Sequence, residues 1–150
     1  MNKNYKPLIA AAFALLFYTG TDILIWQRIF EADQMIGYAN KYHTGWLFSL
    51  FGYATIGILL MWGVWKDCVY FLTALFISAF SGLEDVLYYV LDQKPMPHSL
   101  PWLNSNPMIF DSSRIGVIGS ALFWVSGLAI LYAILYLRKN NGIPVDIPVG

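Results

Sequence analysis

Two stretches of this 150-residue chain are long, apolar and without charge. Residues 46–65 and 115–137 contain no Asp, Glu, Lys or Arg. A helix needs about 20 mostly apolar residues to cross the hydrocarbon core of a membrane. Apolar residues are continuous in both stretches, whereas a strand of a membrane barrel alternates apolar with polar residues. We therefore expect each stretch to form a transmembrane helix.

Two further apolar stretches, residues 8–29 and 69–91, are also long enough to span a membrane. The first contains Asp22, and the second contains Glu84 and Asp85. Four spans leave only short connections and a tail, which is too little for a separate soluble domain. The sequence thus predicts an all-α integral membrane protein, folded as an antiparallel four-helix transmembrane bundle.

The composition supports this class and excludes others. Charged residues make up 12 % of the chain and hydrophobic residues 58 %, whereas a soluble domain has roughly 25 % charged residues. Nine basic and nine acidic side chains give no net charge, which excludes a nucleic-acid-binding protein because that requires a basic face. The single cysteine, Cys68, excludes an internal disulfide framework and a cysteine-based zinc site. We expect residues 1–150 to be one transmembrane domain, with membrane lipid around it and a tail at residues 138–150.

The basic residues favour one orientation of the spans. With the N-terminus inside, the inner face has five basic residues and the outer face four, and a basic excess marks the cytoplasmic side. The inner set is Lys3, Lys6, Lys66, Arg138 and Lys139, and the outer set is Arg28, Lys41, Lys94 and Arg114. We therefore expect a multi-pass protein with both termini in the cytoplasm. Aromatic residues at the span ends fit interfacial anchors, among them Tyr42, Trp46, Trp62, Tyr88 and Tyr89.

The connection between the third and fourth spans, residues 92–113, is long and lies on the outer side in this orientation. Its four prolines are Pro95, Pro97, Pro101 and Pro107. They preclude a long regular helix. The loop is apolar around Trp102, and long ordered loops often act as functional lids. We expect it to roof the outer end of the bundle, with His98 and Trp102 turned towards the bundle.

Three carboxylic acids lie inside apolar spans at one depth. Asp22 stands seven residues before the outer end of its span, and Glu84 and Asp85 stand seven and six residues before the outer end of theirs. At ~1.5 Å per residue, all three lie roughly 10 Å below the outer boundary. A charge at the centre of a span costs at least ~2.5–3.5 kcal/mol, and less towards its ends. We therefore predict that these three acids are the catalytic residues of an outer polar pocket.

The surrounding residues leave three interpretations of that pocket open. In the first, His43 and His98 join the acids as ligands of a divalent metal such as zinc, iron or manganese, although the chain has no Glu-x-x-His or His-x-x-x-His pair. In the second, a carboxylic acid in a low-dielectric pocket keeps its proton and donates it to a membrane-dissolved substrate. In the third, the acids only hold the helices together.

Other residues are expected to support the acids. Arg114 stands at the outer start of the fourth span, and a planar guanidinium suits carboxylates. We therefore expect Arg114 to turn inward to Glu84 or Asp85. The aromatic residues that could orient a substrate or close the pocket are Tyr18, Tyr88, Tyr89 and Trp102.

The pair Glu84-Asp85 at the end of an apolar run resembles the paired-acid motif of the small membrane carotenoid cyclases. Those proteins have a proline two residues before the pair, where this chain has Gly82. The likeness covers only these few residues. It implies that a paired acid within a span can serve proton-driven chemistry on an isoprenoid.

These observations predict a small membrane protein with a carboxylate and histidine pocket near the outer face. Its expected function is to bind or chemically transform a lipid-like small molecule by acid–base or metal-assisted chemistry. Two alternatives stay open: a non-catalytic subunit of a larger membrane complex, and a transporter that works as a homo-oligomer. Stripes of small or polar residues on two faces of one helix would indicate such partners.

Overall fold

The computed structural model describes residues 5–27 and 39–137, without the side chains of residues 39–41 and 43. Its regular structure is helical throughout these residues, with five α-helices and no β-strand. The helices are α1 (Lys6–Thr21), α2 (Ala39–Leu60), α3 (Trp65–Phe80), α4 (Leu83–Leu91) and α5 (Arg114–Tyr132). The predicted all-α class is thus confirmed. Arg28, the side chains of Lys41 and His43, and the tail at residues 138–150 lie outside the described residues.

Two of the predicted spans have the length and composition of a transmembrane helix. Turns of π-helix at Asp22–Gln27 and Ala133–Leu137 continue α1 and α5. As a result, Lys6–Gln27 and Arg114–Leu137 are each long and apolar enough to cross a membrane. The bent pair of α3 and α4 makes a third candidate if the pair is one span. The described residues therefore hold two or three candidate spans, consistent with a membrane protein.

The predicted end of the second span, residues 46–65, is wrong. α2 stops at Leu60, and the apolar part of this helix is shorter than the two long spans. Gly63 has a φ of 91°, a left-handed conformation that glycine adopts readily and that ends helices. The Val64 amide donates to the Met61 carbonyl at 3.1 Å. Residues 61–64 therefore form a tight turn, and α3 begins at Trp65.

The third predicted span, residues 69–91, is not one helix. It breaks between α3 and α4, whose axes differ by 68°. Gly82 at the break has a φ of 86°, which an L side chain rarely adopts. Because the break ends the intrahelical ladder, the carbonyls of the last turn of α3 need other partners, and the Asn106 side-chain amide donates to the Phe80 carbonyl at 2.8 Å. The break is thus closed by the loop that follows α4.

The core lies between α1, α2, α3 and α5. α1 packs against α2, α3 and α4, and α5 packs against α3 and α4. Gly57 allows α2 and α3 to approach closely, because a Cβ at this position would overlap the Phe71 ring. A smaller cluster of Leu100, Leu103 and Val117 joins the loop to the start of α5. The short helix α4 therefore sits with α1 on one side and α5 on the other, which sets the position of its two acids.

Candidate functional site

The three acids of the predicted pocket come together where α4 meets the end of α1. The bend after α3 places Glu84 and Asp85 in the first turn of α4, where the positive end of the helix dipole favours acidic residues. Asp22, at the end of α1, is only 4 % exposed, and Glu84 is 5 % exposed. The charge of Asp22 acts on both Glu84 and Asp85. The three carboxyls therefore form one electrostatic cluster inside the protein.

Two tyrosines complete this acid cluster. Tyr18 lies one turn before Asp22 on α1, is 1 % exposed, and its hydroxyl is within electrostatic reach of all three carboxyls. Tyr42, on the first turns of α2, has its hydroxyl 2.8 Å from Oδ1 and 2.9 Å from Oδ2 of Asp22. The cluster thus combines three acids with two phenols, all of which can hold or exchange protons.

Two buried atoms in the cluster have no hydrogen-bond partner among the described residues: Oε1 of Glu84 and the hydroxyl of Tyr18. A buried polar group without a partner costs roughly 1–3 kcal/mol, and such groups are rare in native proteins. The neighbouring Asp85 differs, because it accepts a hydrogen bond from the Trp102 indole at 3.2 Å. The unpaired atoms belong to Glu84 on α4 and to Tyr18 on α1, so both helices direct an open polar atom into the cluster.

Aromatic rings line the cluster on the side of α2 and α3. The ring of Trp46 packs edge-on against Tyr18 at 5.4 Å and against Phe80 at 5.5 Å between centroids. Tyr53 contacts Tyr18 at 6.4 Å, also edge-on, and its hydroxyl is 2.8 Å from Thr21 Oγ1. We call Tyr18, Trp46, Tyr53 and Phe80 the aromatic wall. Tyr18 joins this wall to the acid cluster, because its hydroxyl is within electrostatic reach of all three carboxyls.

The proline-containing loop, residues 92–113, is anchored at several points over α4 and α5. Its middle pairs with its C-terminal end through two hydrogen bonds, Leu100 N–H to the Ser112 carbonyl at 2.8 Å and Arg114 N–H to the His98 carbonyl at 2.9 Å. The Trp124 indole donates to the Met108 carbonyl at 2.9 Å. Trp102 reaches the cluster through Asp85 although 58 % of its surface is exposed. The loop therefore lies over α4 and α5, and the Trp102 indole contacts the acid cluster. We call residues 92–113 the roof.

An acidic residue closes the end of this loop. The Ser113 side chain and backbone donate to the Asp111 carboxylate and hold the pKa of that carboxyl below its ordinary value. The Ser113 hydroxyl oxygen also accepts from the Gly116 amide at 3.1 Å and caps α5. These contacts fix the direction in which α5 leaves the loop.

Two predicted site residues, Arg114 and His98, lie away from the cluster. Arg114 does not turn inward to Glu84 or Asp85: it is exposed, and its guanidinium donates to the Met96 carbonyl at 3.4 Å. The guanidinium thus bonds to the backbone of its own loop, and the Arg114 amide also pairs there with the His98 carbonyl. His98 is exposed in the same loop, so its expected turn towards the bundle is wrong. The side chain of His43 is not among those described.

The metal interpretation finds no assembled ligand set in the described part of the chain. No group of three or more His, Cys, Asp or Glu side chains lies close enough there to hold one metal ion. Tyr88 and Tyr89 are half-buried, with their rings edge-to-face at 5.3 Å. The charge of Asp85 acts on Tyr89, and Tyr88 acts on Tyr42, so both tyrosines border the acid cluster.

No family model, curated protein or solved structure matches this chain. Its function therefore has to be inferred from the acid cluster, the aromatic wall and the roof.

Proposed function

We propose that the protein is an antiparallel four-helix membrane bundle that binds a lipophilic small molecule at the acid cluster and transforms it by acid–base chemistry. The four spans would be α1 with its π-helical extension, α2, the broken pair α3 and α4, and α5 with its extension. Large apolar side chains support insertion, since Phe48, Trp62 and Ile115 are 77 %, 78 % and 82 % exposed. Apolar surface of this extent is expected to face lipid. In the orientation that the distribution of basic residues favours, the acid cluster then lies near the outer face of the membrane.

The observation that carries the proposal is that Oε1 of Glu84 and the hydroxyl of Tyr18 are both buried and unpaired among the described residues, and that the two groups are within electrostatic reach of each other. A polar atom of a bound molecule at this point would give both groups a hydrogen-bond partner. The surrounding protein is apolar and aromatic, which suits a substrate that reaches the site from the membrane. The site thus favours a molecule with a small polar head and a hydrocarbon body.

Each residue of the cluster has a distinct task in this proposal. Glu84 gives a proton to the polar atom of the substrate at Oε1, or takes one from it, since a general acid or base must lie within hydrogen-bond reach. Tyr18 orients that atom. Asp22 is held by Tyr42, and its charge favours the protonated form of the substrate. Asp85 ties the roof to the cluster through Trp102, so water is excluded while the proton moves.

The test compares what the protein binds and changes in a membrane. The parental protein, Glu84→Gln and Asp67→Asn are purified in detergent, and the co-purifying lipophilic molecules and the lipids of the host membranes are identified by mass spectrometry. Asp67 is a matched control, because it is also a buried acid but lies at the other end of α3 and accepts from Tyr136 at 2.8 Å. We expect Glu84→Gln to lose a bound molecule that the other two proteins retain. Equal amounts of the same molecules in all three would exclude the acid cluster as the binding site.

The helix break favours one second candidate, transport. Transporters often bind their substrate where a discontinuous helix exposes its N-terminus near the membrane midplane, and α4 begins at such a break with Glu84 and Asp85 in its first turn. Four spans would then function as a homo-oligomer. The two functions differ in reconstituted vesicles: a transporter moves the molecule or protons across the sealed bilayer, whereas an enzyme changes the molecule without such flux.

A further inference from the structure

We infer that the ligand of the acid cluster is a lipophilic amine, whose protonated nitrogen binds between Asp22 and Glu84 at the Tyr18 end of the aromatic wall. The inference rests on the proposed function, because it names the chemical class of the molecule that binds there. It is drawn from the charge of the cluster, the unpaired atoms and the rings around them.

The first argument is the missing counter-charge. Among the side chains that the structure describes, which do not include those of Arg28, Lys41 and His43, none of the three carboxyls has a basic hydrogen-bond or ion-pair partner. Three of the described basic groups make contacts elsewhere: Lys6 with the Leu60 carbonyl, Lys94 with Asp92, and Arg114 with the Met96 carbonyl. Buried charges in proteins are ordinarily paired or bind a cation. A cationic ligand would supply the missing partner.

The second argument is the pattern of open hydrogen-bonding atoms. Oε1 of Glu84 can accept a hydrogen bond, and the Tyr18 hydroxyl can accept one as well;. A protonated amine carries N–H groups that donate and has no lone pair that would be left unpaired. An anionic head group would instead meet three carboxyls of its own sign. The cluster therefore selects against carboxylates and phosphates and favours a donor with positive charge.

The third argument is the aromatic wall. A cation over an aromatic ring is attracted by the negative face of the ring, and Trp is the strongest partner. Trp46 stands between Tyr18 and Phe80 at 5.4 and 5.5 Å, and Tyr18 also reaches the carboxyls. Tyr18 thus connects the Trp46 ring to the carboxyls, and aromatic rings of this kind attract organic ammonium ions. A metal ion is a poorer match, because the described residues offer it no group of three ligands.

The experiment uses decyl chains that differ only in the head group: a dimethylamine, a trimethylammonium, a hydroxyl and a carboxylate. The full-length protein is held in nanodiscs of zwitterionic lipid at neutral pH, and the quenching of tryptophan fluorescence gives the Kd of each probe. We expect decyldimethylamine to bind at least about tenfold more tightly than decanol, and decanoate not to bind. The trimethylammonium probe, which has no N–H to donate to Glu84, should bind more weakly than the amine.

The variants locate the charge recognition. We expect Asp22→Asn and Glu84→Gln each to weaken binding of the amine by about tenfold, and Asp67→Asn to leave it unchanged. Tyr18→Phe replaces either variant that fails to fold, as judged by its melting temperature.

The outcomes separate the two proposals. If decanol binds as tightly as the amine and Glu84→Gln weakens both, the acid cluster is a binding site but the inference of a cationic ligand is wrong. If decanoate binds best, the inference is also wrong. If no probe binds the parental protein and no lipophilic molecule co-purifies with it, the proposed function fails together with the inference. The measurements on the parental protein do not depend on whether any variant folds.

Discussion

The hydroxyl of Tyr42 lies 2.8 Å from Oδ1 and 2.9 Å from Oδ2 of Asp22 and so joins the start of α2 to the end of α1. Asp22 is 4 % exposed, and a buried carboxyl needs such a donor. The contact fixes the orientation of one acid of the cluster while Glu84 beside it has an open oxygen. The two acids therefore differ in their surroundings.

The first prediction concerns this contact. Tyr42→Phe removes the hydroxyl that donates to Asp22 and leaves its carboxyl without a hydrogen-bond donor among the described residues. We expect the free energy of unfolding to fall by about 1.5–3 kcal/mol, the range for a hydrogen bond to a charged group. Unfolding in sodium dodecyl sulfate, followed by circular dichroism, measures it. Tyr89→Phe is the control, because the Tyr89 hydroxyl has no hydrogen bond among the described residues, and this variant should unfold as the parental protein does.

The convergence of the three acids could be predicted from spacing alone. Asp22 and Glu84 stand equally far from the ends of apolar runs that are expected to cross a membrane in opposite directions, and the structure brings their charges within reach of each other. The periodicity of an apolar run also places helices well, since backbone hydrogen bonds must be satisfied within each segment. The positions of the acids along their helices thus follow from the local sequence.

The helix break and the partners of the cluster could not be predicted in the same way. A glycine such as Gly82 inside an apolar run is compatible with an unbroken helix, and its break depends on Asn106, which satisfies the Phe80 carbonyl from 26 residues further along the chain. Tyr42 and Trp46 have the pattern of interfacial anchors, and only the packing of α2 on α1 turns them towards the acids. The outward position of the Arg114 side chain could not be predicted either, because its partners, the Met96 and His98 carbonyls, are brought to it by the folding of the loop.

The second prediction concerns the break itself. In Gly82→Ala, the added Cβ would lie 2.7 Å from Val117 Cγ1 and 3.2 Å from the Val117 carbonyl oxygen, and the φ of 86° is strained for alanine. Strain of this kind costs about 1–3 kcal/mol, and the overlap with Val117 adds to it. We expect a lower free energy of unfolding and weaker binding at the acid cluster, because the position of α4 changes.

A matched glycine on α5 provides the control for that variant. A Cβ at Gly119 would meet no atom within 4 Å, so Gly119→Ala should be neutral or stabilise the helix by up to ~1 kcal/mol. Thermal unfolding of both variants in one detergent distinguishes them. If Gly82→Ala is as stable as Gly119→Ala, α3 and α4 form a continuous helix in solution.

The third prediction concerns the roof. Trp102→Phe removes the indole N–H that donates to Asp85 but keeps an aromatic ring. We expect faster amide exchange at residues 99–104 and little change in residues 106–110, because the second half of the loop is held separately by the Trp124 indole on the Met108 carbonyl. Hydrogen–deuterium exchange with mass spectrometry measures both segments.

Trp124→Phe is the reciprocal variant. It should increase exchange at residues 106–110 and leave the turn at Trp102 protected. If both variants increase exchange equally over the whole loop, the roof opens as one unit, and the contact between Trp102 and Asp85 is not an independent latch.

The last prediction separates an acid that serves function from one that stabilises the fold. Glu84 is 5 % exposed and its Oε1 has no partner among the described residues, so no contact offsets the cost of burying it. Functional sites often hold such destabilising groups. We expect Glu84→Leu, which fills a similar volume without a polar atom, to raise the free energy of unfolding by about 1–3 kcal/mol in the ligand-free protein. Asp67, which is equally buried but accepts from Tyr136 at 2.8 Å, should give the opposite result, because Asp67→Leu leaves the Tyr136 hydroxyl without this acceptor. Unfolding of both variants in the same detergent compares them directly. A loss of stability in Glu84→Leu as large as that in Asp67→Leu would make Glu84 a structural residue and remove the main support for the proposed function.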